Sequence, residues 1–311
     1  MKPQPIPSPS AGALDATAAG LLVLLCAIWG VAQVAVKVGN AGIAPVLHCA
    51  LRSIGAAALV LLWCRLRGVR LGLRDGSLGP GLLAGVLFAS EFLLIFAGMD
   101  RTTAARGVVF VYFAPFVVAL GAHWFTPGDR LTGAKLTGLA AAFLGLALAF
   151  ADSLRLPSAR ELEGDLMCLA AAVLWGATTV VIKASRLSHI PAEKTLLYQL
   201  GVSAVVLPPA SLLAGEDWTI RWEPLVVASL VYQVAIVASA SYAAWYWLIA
   251  RYQASRLAAF SFLTPIFGVA SGTVLLGEPV TPALAAAVAL VGFGIWCVNR
   301  PEPRLPSQRA D

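Results

Sequence analysis

Glu91 sits at the centre of an apolar stretch, with no charged residue among the seven positions on either side of it. A carboxylate at membrane depth is costly to hold, so a residue placed there carries a proton, meets a substrate amine or hydrogen-bonds a neighbouring helix. Trp29, Gln33 and Lys37 follow one another at i, i+4 and i+8, and Trp175, Thr179 and Lys183 repeat that spacing later in the chain. Each set is a stripe along one helix face. Polar side chains in apolar segments face the protein interior or a cavity, because lipid offers them no partner. The two stripes therefore predict a pathway lined from both parts of the chain. Trp175 has the more polar face, with Thr178 and Thr179 beside it. Lysines that snorkel to headgroups and tryptophans that pack helices would give the same pattern.

Rings and hydroxyls form further stripes. Tyr232, Ser239, Tyr242 and Tyr246 share a helical face at i, i+7, i+10 and i+14, with Gln233 beside them, and Phe260, Thr264, Phe267 and Ser271 share another. Tyr112, Phe113 and Phe116 lie in an earlier segment. A cavity walled by rings, with a few hydroxyls and one amide, suits apolar or aromatic solutes. Such stripes also serve as packing, and Tyr246 and Trp247 suit an interfacial belt. Glu91, Tyr112, Phe113, Trp175, Gln233, Ser239, Tyr242, Thr264 and Phe267 are thus the candidate substrate contacts. Trp29, Gln33, Lys37, Thr179 and Lys183 are candidate pathway residues, joined by Pro115 and Pro265, which should kink their helices in mid-span.

Other chemistries find little support. The histidines His48, His123 and His189 are scattered, Glu91 has no acidic partner, and the five cysteines lack CxxC or Cys/His spacing, so no catalytic residue, metal site or cofactor is expected. There is no GxxxxGK[ST] loop for ATP. A channel would bring charged rings or a filter loop, and neither is visible. The net charge of +6 comes from Lys and Arg in short loops, a topology signal rather than a nucleic-acid face.

The elements that must hold these residues are membrane spans. Hydrophobic residues make up 59% of 311 positions and charged residues 12%, and the mean hydropathy is +0.82, which exclude a soluble domain. Spans are expected near 15–38, 44–64, 78–98, 104–125, 132–150, 164–186, 192–213, 224–249, 255–276 and 281–298, in an all-α membrane protein of ten transmembrane helices. The Pro-rich start, Met1-Lys2-Pro3-Gln4-Pro5, leads into a full-length span without the short apolar region and cleavage site of a removable signal peptide. With both termini cytoplasmic, fifteen of the 22 positive charges fall on the inner side, Arg65, Arg67, Arg70 and Arg74 in one loop.

The chain repeats itself. Trp29-Gly30 and Lys37 recur as Trp175-Gly176 and Lys183; Arg101, Arg106 and Pro115 recur as Arg251, Arg256 and Pro265; Gly128, Thr132 and Gly145 recur as Gly277, Thr281 and Gly294. The order holds from the first span of each half to the last. Five spans per half force the second half to enter from the opposite side, so the repeats are inverted, the arrangement used for alternating access around a midplane site. The expected organisation is a cytoplasmic tail (1–14), a first five-helix repeat (15–150), an extracytoplasmic connector (151–163), a second repeat (164–298) and a cytoplasmic tail (299–311). Gly81-xxx-Gly85 and Gly268-xxx-Gly272 permit close helix contacts, and spans 5 and 10, rich in small residues, suit a scaffold or a homodimer contact. A monomer holds the whole pathway.

The paired halves, the Trp-Gly of spans 1 and 6, the proline of spans 4 and 9 and Gly277-Glu278-Pro279 before span 10, weaker as Gly128-Asp129-Arg130 in the first half, resemble the drug/metabolite transporter superfamily of the EamA type. Within it the chain is similar overall to bacterial exporters of aromatic amino acids. The resemblance implies a multi-pass protein of the bacterial inner membrane whose partners are lipid and a small-molecule substrate, aromatic and other neutral amino acids. A carrier of another solute class, a hydrophobic drug or a sugar, fits the same lining. A phosphorylated substrate would call for several deep Arg or Lys residues, and the sequence lacks such a set.

Overall fold

The computed structural model describes residues 14–72, 74–99, 101–151, 156–276 and 282–300, and the regular structure among them is helical. In chain order the helices are α1 (Ala16–Asn40), α2 (Pro45–Leu66), α3 (Leu78–Met99), α4 (Ala104–Val111), α5 (Ala114–Phe125), α6 (Gly133–Ala149) and α7 (Ala159–Ala184). They continue as α8 (Ala192–Leu213), α9 (Pro224–Tyr232), α10 (Tyr242–Arg251), α11 (Ala254–Phe260), α12 (Leu263–Leu276) and α13 (Pro282–Asn299), with a π-helical segment, Gln233–Ser241, joining α9 to α10. Among the described residues, eight stretches are long and apolar enough to cross a membrane, including Ala105–Phe125, Pro224–Arg251 and Ala254–Ser271, and two shorter apolar helices are Gly133–Ala149 and Leu284–Asn299. These elements fall on the expected spans. The tail 1–13, Arg155, Gly277-Glu278-Pro279, Thr281 and residues 301–311 lie outside the described residues.

The proline expectation takes a specific form. Pro115 is the second residue of α5 and Pro265 the third of α12, and the helix breaks just before each, at Tyr112–Phe113 and at Ser261–Phe262. A proline lacks the amide for the carbonyl four residues back, and its ring crowds that carbonyl. Tighter turns take over: the Phe113 amide donates to Phe110 O at 3.1 Å and the Thr264 amide to Ser261 O at 2.9 Å. The second of these pairs the Ser261 carbonyl that Pro265 leaves free.

Helix α7 begins at Ala159, inside the segment expected as connector. Its start is set by a capping box in which the Ser158 hydroxyl accepts from the Glu161 amide and the Glu161 carboxylate accepts from the Ser158 amide. Side chains staple the other connections. Glu216 accepts from the Val46 and Leu47 amides at 2.8 and 2.9 Å, filling the otherwise open N-terminus of α2. Asp129 accepts from Lys135 Nζ at 2.9 Å and from the Ser255 amide at 3.0 Å, tying the loop before α6 to the start of α11. Lys194, at the start of α8, donates to Asp75 at 2.6 Å. That ammonium, with the Ser77 hydroxyl, holds the Asp75 carboxyl well below the usual carboxylate range.

Packing brings the halves together. Helix α1 lies against α12 and α9, α7 against α5 and α3, α2 against α8 and the π segment, α3 against α8, and α6 against α13. Exchanging the first five spans with the last five maps this set of pairings onto itself. Glycines set the closest approaches: a Cβ at Gly30 would lie 2.6 Å from Phe267 Cβ, and one at Gly176 would lie 2.5 Å from Val117 Cγ1. Phe267 and Val117 are 150 positions apart, the offset of the sequence repeat. Between α6 and α13, a Cβ at Gly138 would meet Gly294 O at 2.6 Å and one at Gly145 would meet Ala287 O at 2.9 Å. The five cysteines are buried and unpaired.

Gly138→Leu should therefore lower thermal stability in detergent by about 1–3 kcal/mol through overpacking. Gly292→Leu, on the same α13 but with nothing near a new Cβ, should leave it unchanged. Equal melting temperatures for the two variants would show that the glycine contact is not tight.

Candidate functional site

The rings gather into two clusters. In the first, Trp29 of α1 donates from Nε1 to Ser241 Oγ at 2.8 Å, and its ring stands edge-on to Tyr242 at 6.2 Å and Trp245 at 5.4 Å. Phe88 of α3 meets Tyr242 edge-on at 6.0 Å and Phe92 at 4.9 Å. In the second, Trp175 of α7 stands edge-on to Tyr112 at 5.7 Å, Tyr112 faces Phe262 at 6.5 Å, and Phe113 stacks on Phe116 at 5.0 Å. Edge-on and offset arrangements are those the ring quadrupole favours. Both helix breaks feed the second cluster, since Tyr112, Phe113 and Phe262 occupy them. The clusters adjoin: Leu263 packs against both, and the Tyr112 and Tyr242 hydroxyls lie within electrostatic reach of one another.

Glu91 lies beside the first cluster, 7% exposed. Among the described residues it accepts no hydrogen bond, yet its oxygens are not sealed in. The charge it senses is Arg52 of α2, itself 6% exposed. The Arg52 guanidinium lies 4.4 Å over the Phe92 ring and donates from Nη2 to Cys49 Sγ at 3.4 Å. Arg52 and Glu91 make no ion pair within 4.0 Å. Arg52 is a residue that spacing alone passes over. The rule that singles out Glu91, a charge deep in an apolar span, applies equally to the eighth residue of α2.

The remaining candidates disperse. Gln233 is buried and donates to Ala32 O at 3.0 Å, and Tyr232 donates to Ile28 O at 2.9 Å, so both tie their helix to α1. Tyr246, expected in an interfacial belt, is instead buried, its hydroxyl donating to Gln199 Oε1. Trp247 does stay at the surface, with Arg251 4.1 Å over its ring. The single face expected for Tyr232, Ser239, Tyr242 and Tyr246 is split, because a π segment takes more residues per turn than an α-helix and shifts the phase. Ser239 is turned to a lateral apolar crevice of about 830 Å³ between Trp63, Trp247 and Arg251.

Thr179 and Thr178 bond back to the carbonyls of Trp175 at 3.2 Å and Leu174 at 2.8 Å, so the polar face beside Trp175 is satisfied along its own helix. Lys183 donates to Ile249 O at 2.8 Å, closing the C-terminal end of α10. Its counterpart Lys37 is exposed. Gln33 packs against Gly268, and Phe267 against Gly30, both in the α1–α12 contact. The Thr264 hydroxyl is buried beside Cys26 and Tyr112.

The EamA-like transporter family profile matches residues 16–151 and 162–300, one match in each half. A protein of Salmonella typhimurium described as a probable amino-acid metabolite efflux pump is 30% identical over 285 residues, covering 89% of this chain and 92% of its own. An Escherichia coli protein described as an uncharacterized inner membrane transporter is 25% identical, covering 90% of each chain. A solved crystal structure superposes with a TM-score of 0.79 at 19% identity, over 91% of this chain and 96% of the other, a likeness of fold. This chain belongs to the EamA-like transporter family, and is a multi-pass transporter of the inner membrane rather than an enzyme.

Proposed function

We propose that this transporter exports small amphipathic metabolites, aromatic and other neutral amino acids, by alternating access around a cavity between the two ring clusters. The observation that carries the reading is the pairing of Trp29 and Trp175. They hold equivalent places in the sequence repeat, each precedes a glycine packed on a broken helix of the other half, and each opens a ring cluster. Pairings that survive exchange of the halves support two inverted five-span repeats, ten spans in all. The excess of Lys and Arg on one side supports cytoplasmic termini. In such a carrier the breaks at Tyr112–Phe113 and Ser261–Phe262 are the bending points, and closing one cluster accompanies opening the other. The rings give an aromatic side chain stacking partners without demanding many polar contacts. The Salmonella relative described as a probable amino-acid metabolite efflux pump supports the substrate class.

Counterflow in proteoliposomes with amino acids, sugars and drugs tests the substrate: phenylalanine, tyrosine and tryptophan should exchange. Exchange of another class with none of these three would overturn the assignment. Trp175→Ala should weaken exchange roughly threefold to tenfold, the value of one ring contact, with unchanged expression. Full activity in that variant would make Trp175 a packing residue.

A further inference from the structure

We propose that Arg52 and Glu91 form a clamp for the zwitterionic head of an α-amino acid, with the carboxylate at Arg52, the ammonium at Glu91 and the side chain against the ring wall of Phe88, Phe92 and Tyr242. The inference rests on the amino-acid reading and names the residues that recognise the head group.

Two opposite charges buried in one apolar bundle ordinarily collapse into a hydrogen-bonded pair, because each alone costs more than the pair. Here they do not. Both residues are more than nine-tenths buried, they sense each other electrostatically, and no ion pair within 4.0 Å joins them. Each also keeps an unbonded atom that is not fully buried: the Glu91 oxygens, and Nη1 of Arg52, whose Nη2 is spent on Cys49 and whose Nε is buried without a partner. The Tyr242 hydroxyl, which lies in the field of both charges, is likewise unbonded and not fully buried.

The chemistry of the gap selects its occupant. A lone anion would satisfy Arg52 and repel Glu91, a lone cation would do the reverse, and a neutral sugar would leave both charges unpaired. A zwitterion satisfies both at once. A guanidinium makes strong charge-assisted bonds to a carboxylate, here from Nη1, with the Phe92 ring 4.4 Å beneath the charge. The clamp is single. Arg52 is the eighth residue of α2, and the eighth residue of its counterpart α8 is the neutral Gln199, spent on Tyr246. The position 150 residues after Glu91 is Ser241, spent on Trp29.

The test is counterflow against L-phenylalanine, phenylalanine amide, which lacks the carboxylate, and 3-phenylpropionate, which lacks the amine. The wild-type chain should favour phenylalanine over either analogue by at least about tenfold, as expected of a site with buried charges. Arg52→Gln should lose the preference over the amide and keep that over 3-phenylpropionate, and Glu91→Gln should do the opposite. Because removing one charge strands the other, the neutral double variant Arg52→Gln/Glu91→Gln guards against misfolding and should lose both preferences. A merely structural role would not produce this crossed pattern. Folded variants that keep both preferences would sink the clamp while leaving amino-acid export standing. A wild-type chain that exchanges no amino acid would remove the export reading and the clamp with it.

Discussion

The close approach of α1 to α12, with its counterpart between α7 and α5, is the contact on which the rest of the arrangement depends. Apolar side chains gain nothing by leaving lipid for one another, so helices in a membrane associate through packing and through what small residues allow. Gly30 and Gly176 allow it here, each taking a side chain of the facing helix into the space its missing Cβ leaves. In both cases the facing helix has just restarted after a proline break. The break redirects the chain and the glycine receives it. The preceding tryptophan is thereby set at the inner end of a ring cluster, so the aromatic wall follows from a backbone contact rather than from attraction between rings.

Much of this was legible in the amino-acid order. Apolar runs located the spans closely because membrane length leaves little choice, and the recurring Trp-Gly and proline pointed to the contacts that join the halves. What stayed hidden has physical reasons. Helical spacing places Ser239 with Tyr242 and Tyr246 only if the turn keeps its ordinary pitch, and nothing in Gln233–Ser241 announces a π segment. Tyr246 looked like a belt residue because its partner, Gln199, is 47 positions away. The threonines beside Trp175 seemed to offer a polar face, but a hydroxyl can turn back to its own helix, and no pattern of residues reveals which way it turns.

Charge divides the molecule into two regimes. In the connections and the first two turns of α7, carboxylates are consumed as staples: Asp75 by Lys194, Asp129 by Lys135 and Ser255, Asp165 by Arg106 and Thr102, Glu216 by the open amides of α2. These bonds hold short connections against spans that must stay in register. Inside the bundle, Arg52 and Glu91 are left unjoined. The contrast is that acids in the connections are closed off by partners, while Glu91 in mid-span is not.

The α6–α13 contact bears the mark of a duplication. Gly138 meets Gly294 while Gly145 meets Ala287, and the repeat offset of 149 maps Gly138 onto Ala287 and Gly145 onto Gly294. The contact is therefore reciprocal in the way of a two-fold dimer interface, which asks for one sequence only. A half-length ancestor pairing with its own copy would already possess it. Joining the two copies into one gene would have kept that seam while releasing each half to diverge, as the charged Arg52 of α2 and the neutral Gln199 at the same place in α8 have done.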